Sequence, residues 1–229
     1  MVFAGIQKLT LLDYPDKTAC TVFTFGCDFC CPFCQNSALI SKSGAEMIPE
    51  SEVLEFLKSR QGLLDGVCIS GGEPLLHDEL EDFIDDVKSL GFLVKLDTNG
   101  SNPEKLEKLL KAGKIDFVSM DIKNTPVKYA QTIGLPAFDV SVIEKSVNIL
   151  RSGTVPYEFR TTVVCEFHTG DDLLSIAQWI FGAEKYCLQR FIDSDGVLQK
   201  GLHGYSDPEM QNLLVNVKKI LPFAGLRGS

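Results

Sequence analysis

From residue 18 onward, short runs rich in β-branched and apolar residues alternate with amphipathic helical patterns, and that order leaves few folds open. Strand-like runs fall at residues 18–25, 66–70, 92–98, 116–121, 157–164 and 186–192. Several are apolar on consecutive positions, as strands covered on both faces are. Between them, Leu80, Phe83, Ile84, Val87 and Leu90 recur at helical spacing before Gly91. Leu106, Leu109 and Leu110 lead to Gly113, and Val142, Ile143, Val147 and Leu150 lead to Gly153, the position of a helix C-cap. Further helices are expected over 49–60, 171–181 and 208–221, the last with Met210, Leu213, Leu214, Val217 and Ile220 on one stripe.

A tight turn cannot join two parallel strands, so repeated strand and helix units imply right-handed crossovers and a parallel sheet. Six units fall short of the eight that close a barrel. The sequence therefore predicts an α/β fold, a partial (β/α)6 barrel of parallel strands forming one domain over residues 1–229, with an open doubly wound sheet as the alternative. Either architecture gathers its chemistry at the carboxyl ends of the strands. Residues 124–139, with Pro126, Gly134 and Pro136, read as a loop-rich connection.

A net charge of −9 argues against a nucleic-acid partner, which needs a concentrated basic surface. No run of roughly 18 apolar residues could span a membrane, and the first residues lack the order of a signal peptide, so a cytoplasmic protein is expected. Of the eight cysteines, Cys20, Cys68, Cys165 and Cys187 are widely spaced in apolar or strand-like surroundings and are expected to be small buried core residues.

The other four crowd into GCDFCCPFCQN, directly after the first strand, where this architecture holds its chemistry. Three uses compete. Zinc needs four ligands converging tetrahedrally, and the abutting pairs Cys27/Cys30 and Cys31/Cys34 could hardly wrap one ion. A redox CxxC pair or vicinal disulfide would leave the other motifs unexplained. In the third, Cys27, Cys31 and Cys34 are thiolate ligands of a [4Fe-4S] cluster with one iron left open, and Cys30 stands outside the set.

Later strands end on polar residues: Gly71-Gly72-Glu73-Pro74, then Asp97-Thr98-Asn99-Gly100, then Asp121-Ile122-Lys123. Two glycines open a backbone path closed to residues with a Cβ, and a carboxylate can accept from a cationic amine. Asp97, Thr98 and Asp121 could orient hydroxyls or a cation, and Lys123 could pair with a carboxylate. Alone, each of these is equally a turn or a surface charge. Arg160 lies within the strand over 157–164 and His168 follows it; an interior ion pair and a loop residue are the plain readings. His77 and His203 carry no usable pattern.

The spacing CxxxCxxC with aromatic Phe33 before Cys34, placed after the first strand, resembles the radical S-adenosylmethionine (SAM) superfamily. The resemblance implies a [4Fe-4S] cluster on Cys27, Cys31 and Cys34 with SAM chelating its open iron. Gly71, Gly72, Glu73 and Pro74 resemble the GGE motif, which implies a hold on the methionyl amino group. Asp97, Thr98 and Asn99, with Asp121 and Lys123, resemble the DTNG and D-x-K segments of glycyl-radical-enzyme activases, which implies contacts to the SAM carboxylate, ribose and a monovalent cation. Arg160 and His168 would lie near SAM on the same reading. Leu188-Gln189-Arg190-Phe191 resembles the family's LQxF segment.

The leader GIQKLTLLDYP resembles that of the anaerobic ribonucleoside-triphosphate reductase activating proteins, with the resemblance covering nearly the whole chain. It implies one-electron cleavage of SAM to methionine and a 5′-deoxyadenosyl radical, which takes hydrogen from a glycine of a partner glycyl radical enzyme. A flavodoxin- or ferredoxin-type electron donor is expected. The short length, with no ferredoxin-like insertion before GGEP, fits a macromolecular substrate. Residues 13–17 could dock the partner's glycine loop, although a surface turn around Tyr14-Pro15 is the simpler account. The alternatives are a small-molecule enzyme of 7-carboxy-7-deazaguanine synthase type and, from another class, a non-catalytic iron–sulfur or zinc binding module.

Overall fold

The computed structural model describes residues 1–40, 47–153 and 155–227. In chain order the elements are β1 (Val2–Phe3), β2 (Gly5–Thr10), β3 (Ala19–Thr24), β4 (Ile48–Pro49), α1 (Glu50–Lys58), β5 (Gly66–Gly71), α2 (Leu80–Ser89), β6 (Leu93–Thr98), α3 (Pro103–Lys111) and β7 (Phe117–Asp121). There follow α4 (Tyr129–Thr132), α5 (Ser141–Arg151), β8 (Tyr157–Val163), α6 (Gly170–Trp179), β9 (Tyr186–Arg190), α7 (Asp207–Val217) and β10 (Ala224–Arg227). All six expected strands and all six expected helices are present within a few residues of their predicted ends, in an α/β fold of mostly parallel strands.

Local chemistry sets the boundaries. Asn102 caps α3 by accepting from the Lys105 N–H, with Pro103 in the first turn where no donor is lost. Reciprocal capping boxes start α6 (Thr169 with Asp172) and α7 (Ser206 with Glu209). One face of each helix is spent on the core, as with Leu80, Phe83, Ile84 and Val87 of α2.

The chain forms two compact units. The first comprises Met1–Asp28, Ala38–Ser119 and Gly153–Pro156. There β2 pairs antiparallel with β3, β3 parallel with β5, and β5 parallel with β6, while β1 and β4 form a separate antiparallel ribbon. Val22, Val67, Ile69, Val94 and Leu96 are fully buried in it. The second comprises Phe29–Ser37, Met120–Ser152 and Tyr157–Ser229. Its β8, β9 and β10 are parallel neighbours, with Phe159, Leu188, Leu173 and Ile176 among its buried side chains.

Several features depart from the sequence reading. The leader is a strand, β2, whose Gln7, Lys8 and Leu9 stay exposed, so no one-sided apolar pattern betrays it. The turn around Tyr14-Pro15 is present, but Tyr14 itself is 4% exposed and its ring lies against Gly66, where any Cβ would come within 2.9 Å of it. Residues 124–139 contain a 3-10 turn and the short α4. Cys20, Cys68 and Cys187 are buried as expected, whereas Cys165, beyond the end of β8, is only partly buried. Among the described residues no helix is long and apolar enough to cross a membrane.

Candidate functional site

In the first unit main-chain contacts join the ends of β3 and β5, and the Glu73 side chain ties in the end of β6. Beyond β3, Gly26 donates to the Leu39 carbonyl at 2.7 Å, and its own carbonyl accepts from the Glu73 N–H at 2.7 Å. The Gly72 N–H donates to the Thr24 carbonyl at 2.9 Å. This approach explains the paired glycines: a Cβ on Gly72 would lie 1.8 Å from the Gly26 oxygen, and Gly71 has φ +115° with Thr24 N 2.4 Å from its Cβ position. His77 reinforces the loop, with Nε2 2.7 Å from the Phe25 carbonyl, and the Lys105 ammonium donates to the His77 carbonyl.

Glu73 is fully buried beneath this junction. Its carboxylate accepts from the Leu75 N–H at 3.0 Å, the Thr98 hydroxyl at 2.8 Å and the Asn99 N–H at 2.7 Å. Burial pushes its pKa up to about 7, and the three donors oppose that rise. Asn99, 6% exposed, donates from Nδ2 to Asp28 Oδ1 at 2.8 Å and lies 3.9 Å from Cys27 Sγ. Asp97 pairs with the ammonium of Lys95, a lysine without exposed surface, and accepts from Ser70 Oγ at 3.1 Å. Ser101 Oγ is the one buried side-chain oxygen or nitrogen without a hydrogen-bond partner among the described residues.

The second unit carries Cys31, Phe33 and Cys34. Leu198 and Gln199 donate main-chain N–H groups to the carbonyls of Cys34 (3.1 Å) and Pro32 (2.8 Å), and Gln35 Nε2 donates to the Ile192 carbonyl at 2.8 Å. On the other side, Cys30 donates to the Ile133 carbonyl at 2.9 Å while its side chain stays exposed. Phe33 is 4% exposed and packs on Phe167 and His168, with ring centroids 5.6 and 6.3 Å away.

Asp121, at the end of β7, accepts from Lys123 Nζ at 2.8 Å and Arg160 Nε at 3.0 Å. Burial works against its charge, yet Arg160 and Lys123 hold its carboxyl well below the usual carboxylate range. Burial likewise opposes the Lys123 ammonium, and Asp121 beside it outweighs that and raises the pKa. Burial pushes the Cys31 thiol up to about 11, and Lys123 pulls against it. His168 is fully buried: Nε2 lies 2.7 Å from the Lys123 carbonyl and Nδ1 accepts from the Val164 N–H at 3.2 Å. That arrangement fixes a neutral tautomer with Nε2 protonated, and burial lowers the ring's pKa.

Within the first unit the structure thus brings together Cys27, Gly71, Gly72, Glu73, Pro74, Asp97, Thr98 and Asn99. Within the second it brings together Cys31, Phe33, Cys34, Asp121, Lys123, Arg160 and His168. Arg160 forms the interior ion pair that its place in a strand suggested, and His168 stands in the loop after β8 as its plain reading had it, but is fully buried there. Sequence reasoning missed Lys95 and His77; a lysine between Val94 and Leu96 in a buried strand was the available signal for the first. None of the eight cysteines is in a disulfide. Among the described residues no three His, Cys, Asp or Glu side chains gather tightly enough to hold a single metal ion. The donor set suits iron–sulfur ligation: Cys27, Cys31 and Cys34 are three thiols on one short loop, none of them in a disulfide.

Parallel strands with a thiol-bearing loop at their carboxyl ends define the class. A family model described as the Radical SAM superfamily matches residues 21–180, and the chain belongs to that superfamily. It is a radical SAM enzyme, and membership implies a [4Fe-4S] cluster and SAM. The chain is 32% identical over 198 residues to a Methanocaldococcus jannaschii protein provisionally named a glycyl-radical enzyme activating enzyme, covering 84% of this chain and 80% of that one. It is 35% identical over 105 residues to the 7-carboxy-7-deazaguanine synthase of Hyperthermus butylicus, covering 44% and 42%. A radical SAM methyltransferase from Sphaerobacter thermophilus has the same fold, with a TM-score of 0.74 at 14% identity over 96% of this chain and 68% of that one.

Proposed function

We propose that the protein is an activase that generates the glycyl radical of a partner enzyme, anaerobic ribonucleoside-triphosphate reductase. The observation carrying this reading is the likeness to the M. jannaschii relative, which runs over 84% of this chain and 80% of that one. The leader residues 5–15 support the reductase as partner. A flavodoxin- or ferredoxin-type protein is the proposed electron source.

Cys27, Cys31 and Cys34 are the proposed cluster ligands, with exposed Cys30 outside the set. When bound, the cluster and SAM supply the one-electron chemistry that cleaves SAM and removes hydrogen from the partner's glycine. This chain's residues bind, orient and exclude water. The main chain of Gly71, Gly72, Glu73 and Pro74 and the polar groups of Asp97, Thr98, Asn99, Asp121, Lys123 and Arg160 are proposed to cradle SAM. The unpartnered Ser101 hydroxyl is a ready contact for a polar ligand. Glu73 and His168 act from beneath, because their polar atoms already serve Thr98, Asn99, Val164 and Lys123. A monovalent cation at Asp97 or Asp121 would have to displace an ion pair already formed there.

The test is anaerobic reconstitution with iron and sulfide, followed by SAM, a strong reductant and the candidate reductase. Formation of 5′-deoxyadenosine together with a glycine-centred paramagnetic signal in the reductase is expected. SAM cleavage without that signal, and with turnover of a purine-like small molecule, would favour the deazaguanine-synthase reading, which the match to the H. butylicus enzyme supports over a shorter span.

A further inference from the structure

The neighbourhood of Asn99 is over-determined. Its main-chain N–H is bound by the buried Glu73 carboxylate, and its Oδ1 accepts from the Ser101 N–H at 2.9 Å. Those bonds fix which end of the carboxamide carries the NH2 group and aim it at the start of the cysteine loop. One proton of Nδ2 goes to Asp28 Oδ1 at 2.8 Å, and Cys27 Sγ lies 3.9 Å away, within reach of the other. Thr98, which donates to Glu73 and accepts from the Gly100 N–H at 3.1 Å, braces the same turn.

We infer that Asn99 is a positioning residue whose side-chain amide donates to the Cys27 sulfur and makes the cluster held there easier to reduce. The inference rests on the proposed cluster ligation by Cys27. An N–H donor stabilises a ligating sulfur more when the cluster has gained an electron, so the donor raises the reduction potential. Glu73 is the anchor that holds the donor in place, acting through the Asn99 backbone and not on the ligand itself.

The experiment is an EPR-monitored redox titration, without SAM, of anaerobically reconstituted wild-type protein and of Asn99→Leu and Asn99→Asp, each with iron and sulfide measured per chain. At equal cluster content, Asn99→Leu should be about tenfold harder to reduce, a fall of about 59 mV for a one-electron couple. Asn99→Asp, similar in shape but unable to donate when ionised, should fall at least as far. A purely structural role would lower cluster content and leave the potential of the surviving clusters unmoved; an unmoved potential overturns the inference. Should the variants hold no cluster, pulsed EPR of reduced Asn36→Ser protein labelled with 15N-asparagine decides instead. A nitrogen coupling is expected, and its absence overturns the inference. Wild-type protein that takes up no four-iron cluster overturns the functional reading as well, whereas a normal wild-type cluster with unmoved variant potentials overturns this inference alone.

Discussion

Glu73 ties stability to pH in a direction opposite to that of a salt-bridged carboxylate. Its pKa rises from an ordinary 4.5 to about 7, so between those values the folded chain binds a proton that the unfolded chain does not. Stability from this group is therefore full below about pH 4.5 and is lost as pH rises toward 7. At about 1.4 kcal/mol per unit, the fall between pH 5 and pH 8 comes to about 2 to 3 kcal/mol. The perturbation is Glu73→Gln, which keeps the shape and cannot titrate, compared with wild type by urea unfolding of the reduced, metal-free protein at half-unit pH steps. Other titrating groups, His168 among them, are common to both chains and cancel in the difference, while the mismatched amide facing the Asn99 N–H adds a constant offset. With a urea slope of about 2 kcal/mol per molar, the gap between the two midpoints should change by about 1 M across this range. A gap that stays constant would refute the reasoning. It would mean that the three donors fully compensate the buried charge and that burial does not govern this carboxylate.

Alanine at Cys27, Cys31 or Cys34 should abolish iron and sulfide uptake, while Cys30→Ala should retain both; equal loss in all four overturns the ligand choice. Gly72→Ala forces a Cβ into the Gly26 carbonyl and should cost about 3 kcal/mol or more in thermal or urea unfolding. Gly225→Ala, where a Cβ meets nothing within 4 Å, should leave the unfolding midpoint unchanged or slightly raised. His168→Ala strands the Val164 N–H and the Lys123 carbonyl and should cost about 2 to 6 kcal/mol. Because the folded ring's pKa is lowered, wild-type stability should fall relative to His168→Gln as pH drops below 6.5, where the unfolded histidine takes up a proton. Unfolding midpoints from pH 5 to 8 check this.

The parallel frame was legible because buried strands and one-sided helices leave strong periodic signals, as in the run Val67, Cys68, Ile69 and the stripe Leu80, Phe83, Ile84, Val87. β2 left none, since as an antiparallel neighbour of β3 it keeps Gln7, Lys8 and Leu9 in solvent. β10 was illegible for a different reason: Ala224–Arg227 is four residues long and includes Gly225, and its parallel pairing with β9 depends on the tertiary fold. The Tyr14-Pro15 pair signalled its turn correctly but not the burial of Tyr14, which depends on the missing side chain of Gly66, more than fifty residues along the chain.

At the site, the sequence indicated which residues stand at strand ends but not which way their polar atoms face. Glu73 is engaged by three donors, Asp97 by Lys95 and Ser70, and Asp121 by Lys123 and Arg160. A strand-end carboxylate that already holds a cationic partner cannot take a new cation without giving that partner up, and stranding a buried ammonium such as that of Lys95 is costly. Asp97 and Asp121 are each paired within their own unit. Glu73 fastens the turn that follows β6, where the Asn99 amide and the Ser101 hydroxyl stand. The GGE resemblance implies a ligand contact for the segment of Gly71, Gly72, Glu73 and Pro74; within it the Glu73 side chain is buried and engaged by the Leu75, Thr98 and Asn99 donors.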